Sequence, residues 1–483
     1  MKKKEAFALR SYYVNFASHL LNEWNVNMTS PGAGLGWGDD EFGAFFDMIK
    51  SFGYNCFEFW LEPTIYKSAL NEDEVFQRFT GVMGKVIGIA HDKGLMIKYI
   101  LAPNTIGHDW YYACPNNPGD RELILKLWRR WAALMKGADI VGIFPGDPGG
   151  CNRNGCDHKT YIELSLRLTE IVSEENPGAV VEIGTWGSPF SGWGSDMVSF
   201  GGWDGSFASM NEFGKTQNNH CFFWHGTPVR AKCAMDDLMR MLPSFPRETI
   251  VGINLGFSPD ADCTVGGDAR QYVREISKKN RVSSWDYSVT EGELVVHPHW
   301  RLPRIFSRRR EERTVAPYHG AMAYTMSPML SQMCMYAAGQ AAIDPDRDPD
   351  AVSREFCRKV FGVENERLGE LFEAFEVVPA WGYYPRRKWM AAEARVAYME
   401  IIDRLEAVDM SGCELPIFPS PERYRQSLLW FARLFHRLSS PSPDREAIRE
   451  EYYRKCYRVY DKALKAVDER PAQAASHLSQ LFA

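Results

Sequence analysis

Eight short apolar runs, each followed by a loop, constrain this chain more than any other feature. They lie at 11–16 (SYYVNF), 55–62 (NCFEFWLE), 95–104 (LMIKYILAPN), 140–146 (IVGIFPG), 180–186 (VVEIGTW), 250–256 (IVGINLG), 282–287 (VSSWDY) and 321–326 (AMAYTM). Helical periodicity falls between them at 40–52, 74–93, 120–137, 159–175, 229–241 and 268–278. Asp or Asn residues suited to capping precede the helices at 74, 120 and 268. Short buried strands alternating with helices predict an α/β fold of the (β/α)8 TIM-barrel type. A doubly wound open sheet shares the alternation, but no G-x-G-x-x-G follows the first run. The glycine-rich GAGLGWG at 32–38 is not directly preceded by a strand.

After about residue 327 the pattern changes. The segment 329–362 reads as the last barrel helix, a turn at DPDRDPD and a further helix. From 363 onward all periodicity is helical, with PSPERYRQ and SSPSPDRE as start or linker signals. The expected organisation is a catalytic barrel over 1–345 and an α-helical C-terminal domain over 346–483.

A net charge of -6 argues against general affinity for nucleic acid, which needs a basic surface. No stretch is long and apolar enough to span a membrane. The basic start MKKKEAFALR is not followed by the apolar core and cleavage site of a signal peptide. Eleven scattered cysteines, an odd number, fit a reduced cytoplasmic setting better than a disulfide framework. Aromatics reach 13%, enough to fill a core or to line a cleft for the flat C–H faces of a sugar.

Strand alternation sorts the side chains. In 55–62 the apolar Phe57, Phe59 and Leu61 share one face, so Glu58 and Glu62 point to the barrel axis. In 95–104 Lys98 and Asn104 share a face. Glu182 shares one with Trp186, and Asn254 lies opposite its apolar neighbours. A buried charge needs a partner, so Glu58 and Lys98, on adjacent strands, are expected to pair.

Glu62, Asn104, Asp147, Trp186, Asn254 and Asp286 fall at or just past strand ends, the face where barrels of this type build active sites. Asp147 is held between Gly146 and Pro148 at the end of the fourth run, and glycines behind it allow close approach of a ligand. A carboxyl group in such a mouth suits a general acid. Glu62 or Asp286 is the expected second catalytic group, with Glu182 and Asp260 as further carboxylates and His19 or His108 as an alternative base. Asn15, His19, Asn104, His108, Trp186, Asn254 and Trp285 are the expected substrate-binding residues. The fifth loop carries Trp186, Trp193, Trp203 and Trp224 over some 40 residues before the next helix and reads as a substrate wall.

Three weaker signals complete the reading. Cys151 and Cys156 form a C-x4-C beside Asp157 and His158, but no second pair supplies a zinc set, and no metal or other cofactor is expected. His297 and His299 in HPHW read as polar surface. SRRREER at 307–313 reads as a solvated helix face, or as a hold for a substrate carboxylate if its arginines reach the mouth.

Three segments carry a resemblance. DPGGCNRNGC resembles the Cys-containing segment after the fourth strand in some barrel glycoside hydrolases of the broad group around α-glucuronidases and β-hexosaminidases. WDYSVTEGELVVHP resembles the W-x-Y strand of that group, and YAAGQAAIDPDRDPDAVSREFCRKVFG resembles its post-barrel segment. The resemblance implies that the strand-four residue, Asp147 alone, is the acid. The chain lacks the adjacent Asp–Glu or Asp–Asp pair of substrate-assisted hexosaminidases. Inverting barrel sialidases, which use an Asp and a His, are similar in style, although the first strand offers Asn15 and His19 with no Asp. The expected function is an exo-acting glycosidase that removes a terminal sugar, acidic or N-acylated sugars being the classes suggested, from a small glycoside by carboxylate acid/base catalysis. Its partner would be a small carbohydrate, met by a monomer or homodimer. The alternatives are a metal-dependent sugar-acid lyase or isomerase, and a carbohydrate-binding protein without turnover.

Overall fold

The computed structural model describes residues 5–15, 37–60, 74–104, 113–145, 154–185, 228–253, 269–285, 298–325, 328–376 and 392–456. Eight strands close into a parallel barrel in sequence order: β1 (Leu9–Asn15), β2 (Cys56–Trp60), β3 (Met96–Leu101), β4 (Ile140–Ile143), β5 (Val180–Gly184), β6 (Ile250–Ile253), β7 (Arg281–Ser284) and β8 (Gly320–Thr325). Each coincides with one of the eight apolar runs. Among the described residues seven helices alternate with them: α1 (Asp39–Ser51), α2 (Glu74–Asp92), α3 (Pro118–Leu134), α4 (His158–Glu175), α5 (Pro228–Met241), α6 (Ala269–Ser277) and α7 (Leu302–Val315). The eighth, α8 (Gln332–Ile343), follows β8.

Local chemistry sets the helix starts. Asn117 accepts from the Asp120 N–H at 3.1 Å, with Pro118 in the first turn of α3. Asp157 accepts from Lys159 and Thr160 N–H groups at the start of α4. The expected caps before α2 and α6 lie outside the described residues. On α1, Phe42, Phe45, Phe46 and Ile49 are all buried, the apolar stripe that seats a barrel helix on the outer strand faces.

Further helices follow as α9 (Pro349–Phe361), α10 (Leu368–Leu371), α11 (Ala392–Ala407), α12 (Pro421–Leu438) and α13 (Arg445–Cys456). Asp348 in the DPDRDPD turn caps α9, and Ser420 in the PSPERYRQ signal caps α12. One continuous apolar core runs from Phe45 and Phe57 beside the barrel to Phe356, Phe431 and Phe435 of these helices. α8 packs so tightly that a Cβ on Gly339 would lie 2.2 Å from the Phe52 carbonyl. Among the described residues no helix is long and apolar enough to cross a membrane.

Two sequence expectations fail here, for related reasons. The SRRREER run is not a solvated face: within α7, Arg308, Arg309 and Glu312 are buried. Arg309 donates to Glu312 at 2.7 Å, to Ser284 Oγ at 3.2 Å and to the Met322 carbonyl, so it ties α7 to β7 and β8. Arg310 reaches the Pro345 carbonyl and Arg313 pairs with Asp346. Arg309, Arg310 and Arg313 thus bond to the barrel wall and to the turn after α8. His299 of HPHW is likewise buried, 3.6 Å from Glu376, whose carboxylate also takes the Arg301 guanidinium and the Trp300 N–H at 3.1 Å each. Arg309 and Arg301 each meet a buried carboxylate, Glu312 and Glu376, which lets them leave water.

Candidate active site

Barrel register places the inward side chains in layers of four, each drawn from alternate strands. The lowest two hold Leu9, Met96 and Val180, then Cys56, Ile140 and Ile250, packed as an apolar base. Above them Ser11, Lys98, Glu182 and Ser283 share a layer, and Glu58, Gly142, Gly252 and Met322 the next. The uppermost layers hold Tyr13, Ile100, Gly184 and Trp285, then Trp60, Phe144 and Tyr324.

The middle layers are ionic. Lys98 Nζ lies 2.9 Å from Glu58 and 2.8 Å from Glu182, with all three side chains at 2% exposure or less. The expected Glu58–Lys98 pair is present, and Glu182 joins it from the second strand along. Ser283 donates to Glu182 at 2.7 Å, and the Trp285 indole N–H donates to Glu58 at 3.0 Å. Glu58 Oε2 has no hydrogen-bond partner among the described residues. Two carboxylates thus face one ammonium. Burial pushes the Glu58 carboxyl above its usual range, Lys98 opposing the shift and Glu182 adding to it. Burial alone would lower Lys98, but Glu182 and Glu58 outweigh it and keep the ammonium charged.

Over this cluster lies a row of rings. Tyr324 and Tyr13 are 5.1 Å apart, Tyr13 and Trp285 5.6 Å, and Trp285 and Phe144 4.7 Å. Lys98 Nζ sits 5.4 Å from the Phe144 ring centre. Phe144 fits because its neighbours lack side chains. A Cβ on Gly184 would fall 2.1 Å from its ring, and one on Gly142 or Gly252 about 3 Å from it. Gly184→Ala is therefore expected to displace the ring and destabilise the fold by about 1–3 kcal/mol, read as a lower melting temperature. Phe144→Leu in the same chain should restore part of the loss. An unchanged melting temperature in Gly184→Ala would mean that the ring is not held there.

The sequence-predicted site residues divide as follows. Glu62, Asp147, Asp286, His19, His108, Trp186 and Asn254 lie outside the described residues, as do Asp260, the long fifth loop and the side chain of Asn15. Glu62, Asp147 and Asp286 follow β2, β4 and β7 within four residues. Asn104 is fully buried and closes the base of the β3 loop: its Nδ2 donates to the Ala113 carbonyl at 3.0 Å, and its own carbonyl accepts from Ala113 N–H. Its Oδ1 has no hydrogen-bond partner among the described residues. Trp285 is buried in the ring row with its N–H on Glu58. Glu182 is committed to Lys98 and Ser283 beneath the rings. Sequence reasoning did not single out Phe144, Ser283, Tyr13 or Tyr324. Glycines at inward positions of β4, β5 and β6 are the signal that predicts a large ring entering from a neighbour. Among the described residues no group of three His, Cys, Asp or Glu side chains is placed to hold a metal ion.

No protein-family model and no curated protein matches the chain. Solved structures do match its fold. A GH138 enzyme targeting pectin rhamnogalacturonan II aligns with 99% of this chain at a TM-score of 0.54 and 10% identity, and this chain spans 62% of that enzyme's length. The O-GlcNAc hydrolase of Thermobaculum terrenum aligns with 99% of this chain and 95% of its own length, at a TM-score of 0.51 and 14% identity. The parallel barrel and the helices beyond it are thus an arrangement shared with glycoside hydrolases.

Proposed function

We propose that this chain is a glycoside hydrolase that removes a terminal sugar from a small glycoside, with Asp147 as general acid and Glu62 or Asp286 as second carboxylate. The observation that carries this reading is the barrel itself. Its C-terminal strand ends lead into three carboxylate-bearing segments, its upper layers are aromatic, and its fold spans 99% of the chain in two glycoside hydrolases. Paired carboxylates suit glycosidic bond cleavage. One of those neighbours is named for a pectin and the other for an N-acylated sugar, which supports acidic and N-acylated sugars as the first classes to try.

The test is a panel of 4-nitrophenyl glycosides, including glucuronide, galacturonide and N-acetylhexosaminide, incubated with the intact chain. Nitrophenol release from one member, saturating with substrate, is expected. Saturable binding of a sugar without any release across the panel would contradict the proposal and favour a binding protein.

A further inference from the structure

The segments that lead from the β3 and β4 loops into α3 and α4 lie side by side, and two thiols meet between them. Cys114 Sγ is 3.6 Å from Cys156 Sγ, and both residues are buried, at 2% and 6% exposure. The contact is held from several directions. Asn154 Nδ2 donates to Cys114 Sγ at 3.3 Å, and Asn116 Nδ2 donates to the Asn154 carbonyl at 2.9 Å. The Cys114 N–H donates to Asp120 at 2.7 Å, which fixes that cysteine to the first turn of α3. Asn154 and Gly155 take φ values of 51° and 71°, a left-handed turn that delivers Cys156 to the cap of α4.

We propose that Cys114 and Cys156 form a reversible oxidation site that closes to a disulfide under peroxide. The chemistry balances within the pair. One thiolate attacks hydrogen peroxide, the O–O bond breaks, and a sulfenic acid and water result. The second thiol then displaces water from that sulfur, so two thiols lose two hydrogens and peroxide becomes two molecules of water. Sulfurs already in contact need only small side-chain rotations to reach bonding distance. The 42-residue separation along the chain makes the bridge a long-range staple. In sequence each cysteine directly follows a loop with a candidate site residue, His108 before Cys114 and Asp147 before Cys156, so the bridge would tie the roots of both loops. The inference stands whether or not the chain is a glycosidase.

The test uses the full reduced chain, treated with hydrogen peroxide, alkylated under denaturing conditions and digested. The expected result is a peptide pair joined through Cys114 and Cys156, lighter by two hydrogens and released by a dithiol. The melting temperature should rise on oxidation and return on reduction. Cys114→Ser and Cys156→Ser should each abolish the linked pair and the shift. Full alkylation of both cysteines after peroxide, oxidation of either to sulfinic acid without linkage, or a bridge from either to Cys151 would overturn the proposal.

Discussion

Lys98→Met is expected to destabilise the chain by about 3–5 kcal/mol. That is a large share of the stability of an ordinary domain. The side chain has no water to fall back on: it is 2% exposed and lies within 3 Å of two carboxylates that are themselves sealed from solvent. Methionine preserves much of its volume but leaves Glu58 and Glu182 facing each other in a low-dielectric interior. Glu58, whose carboxyl burial already lifts above its usual range, would hold its proton still more tightly once the opposing ammonium is gone. The sign follows directly. A folded state that binds protons more tightly than the unfolded state loses stability as pH rises. The deficit of the variant should therefore be small near pH 5 and large near pH 8. Urea unfolding of both chains across that range measures it. Adding Glu58→Gln and Glu182→Gln to the variant should recover stability and flatten the pH dependence. Equal midpoints for wild type and Lys98→Met at pH 8 would mean that the cluster is not formed.

This cluster also shows how far the sequence could be read. Parallel strands buried on both faces appear as continuous apolar runs, which is why all eight were visible, including the short IVGI strands of β4 and β6. Their ends were less visible, because apolar residues continue past the hydrogen-bonded ladder: Phe144 and Pro145 lengthen the fourth run beyond Ile143. Alternation put Glu58 and Lys98 on the axis, and their direct register made the pair predictable. Glu182 is two strands away, and only the stagger of a closed barrel brings it level with Lys98. The buried arginines of α7 differ for another reason. Charge pattern alone implies water, whereas Arg309 pairs with Glu312 one helical turn on and also finds Ser284 and a Met322 carbonyl on two strands, partners that the run itself does not contain. The candidate catalytic groups were legible only as carboxylates placed after strand ends. Their distances depend on how loops fold over the mouth, which periodicity does not encode.

The second large effect concerns Asp147. If it protonates the leaving group, its replacement by Asn removes the proton donor while keeping the shape of the side chain. The loss then depends on how much help the leaving group needs. A good aryl leaving group departs nearly unaided, so Asp147→Asn should hydrolyse the best dinitrophenyl glycoside within about tenfold of wild type. A poor leaving group, such as an alkyl alcohol or a second sugar, should lose about 10²–10⁴-fold in kcat/KM. A merely structural residue would lower both alike. The decisive measurement is thus the ratio of kcat/KM on these two leaving groups for wild type and Asp147→Asn at matched folded concentration. A variant whose defect grows steeply as the leaving group worsens is the predicted result. Equal rates for the two proteins on the poor leaving group would contradict Asp147 as the acid of a barrel glycosidase.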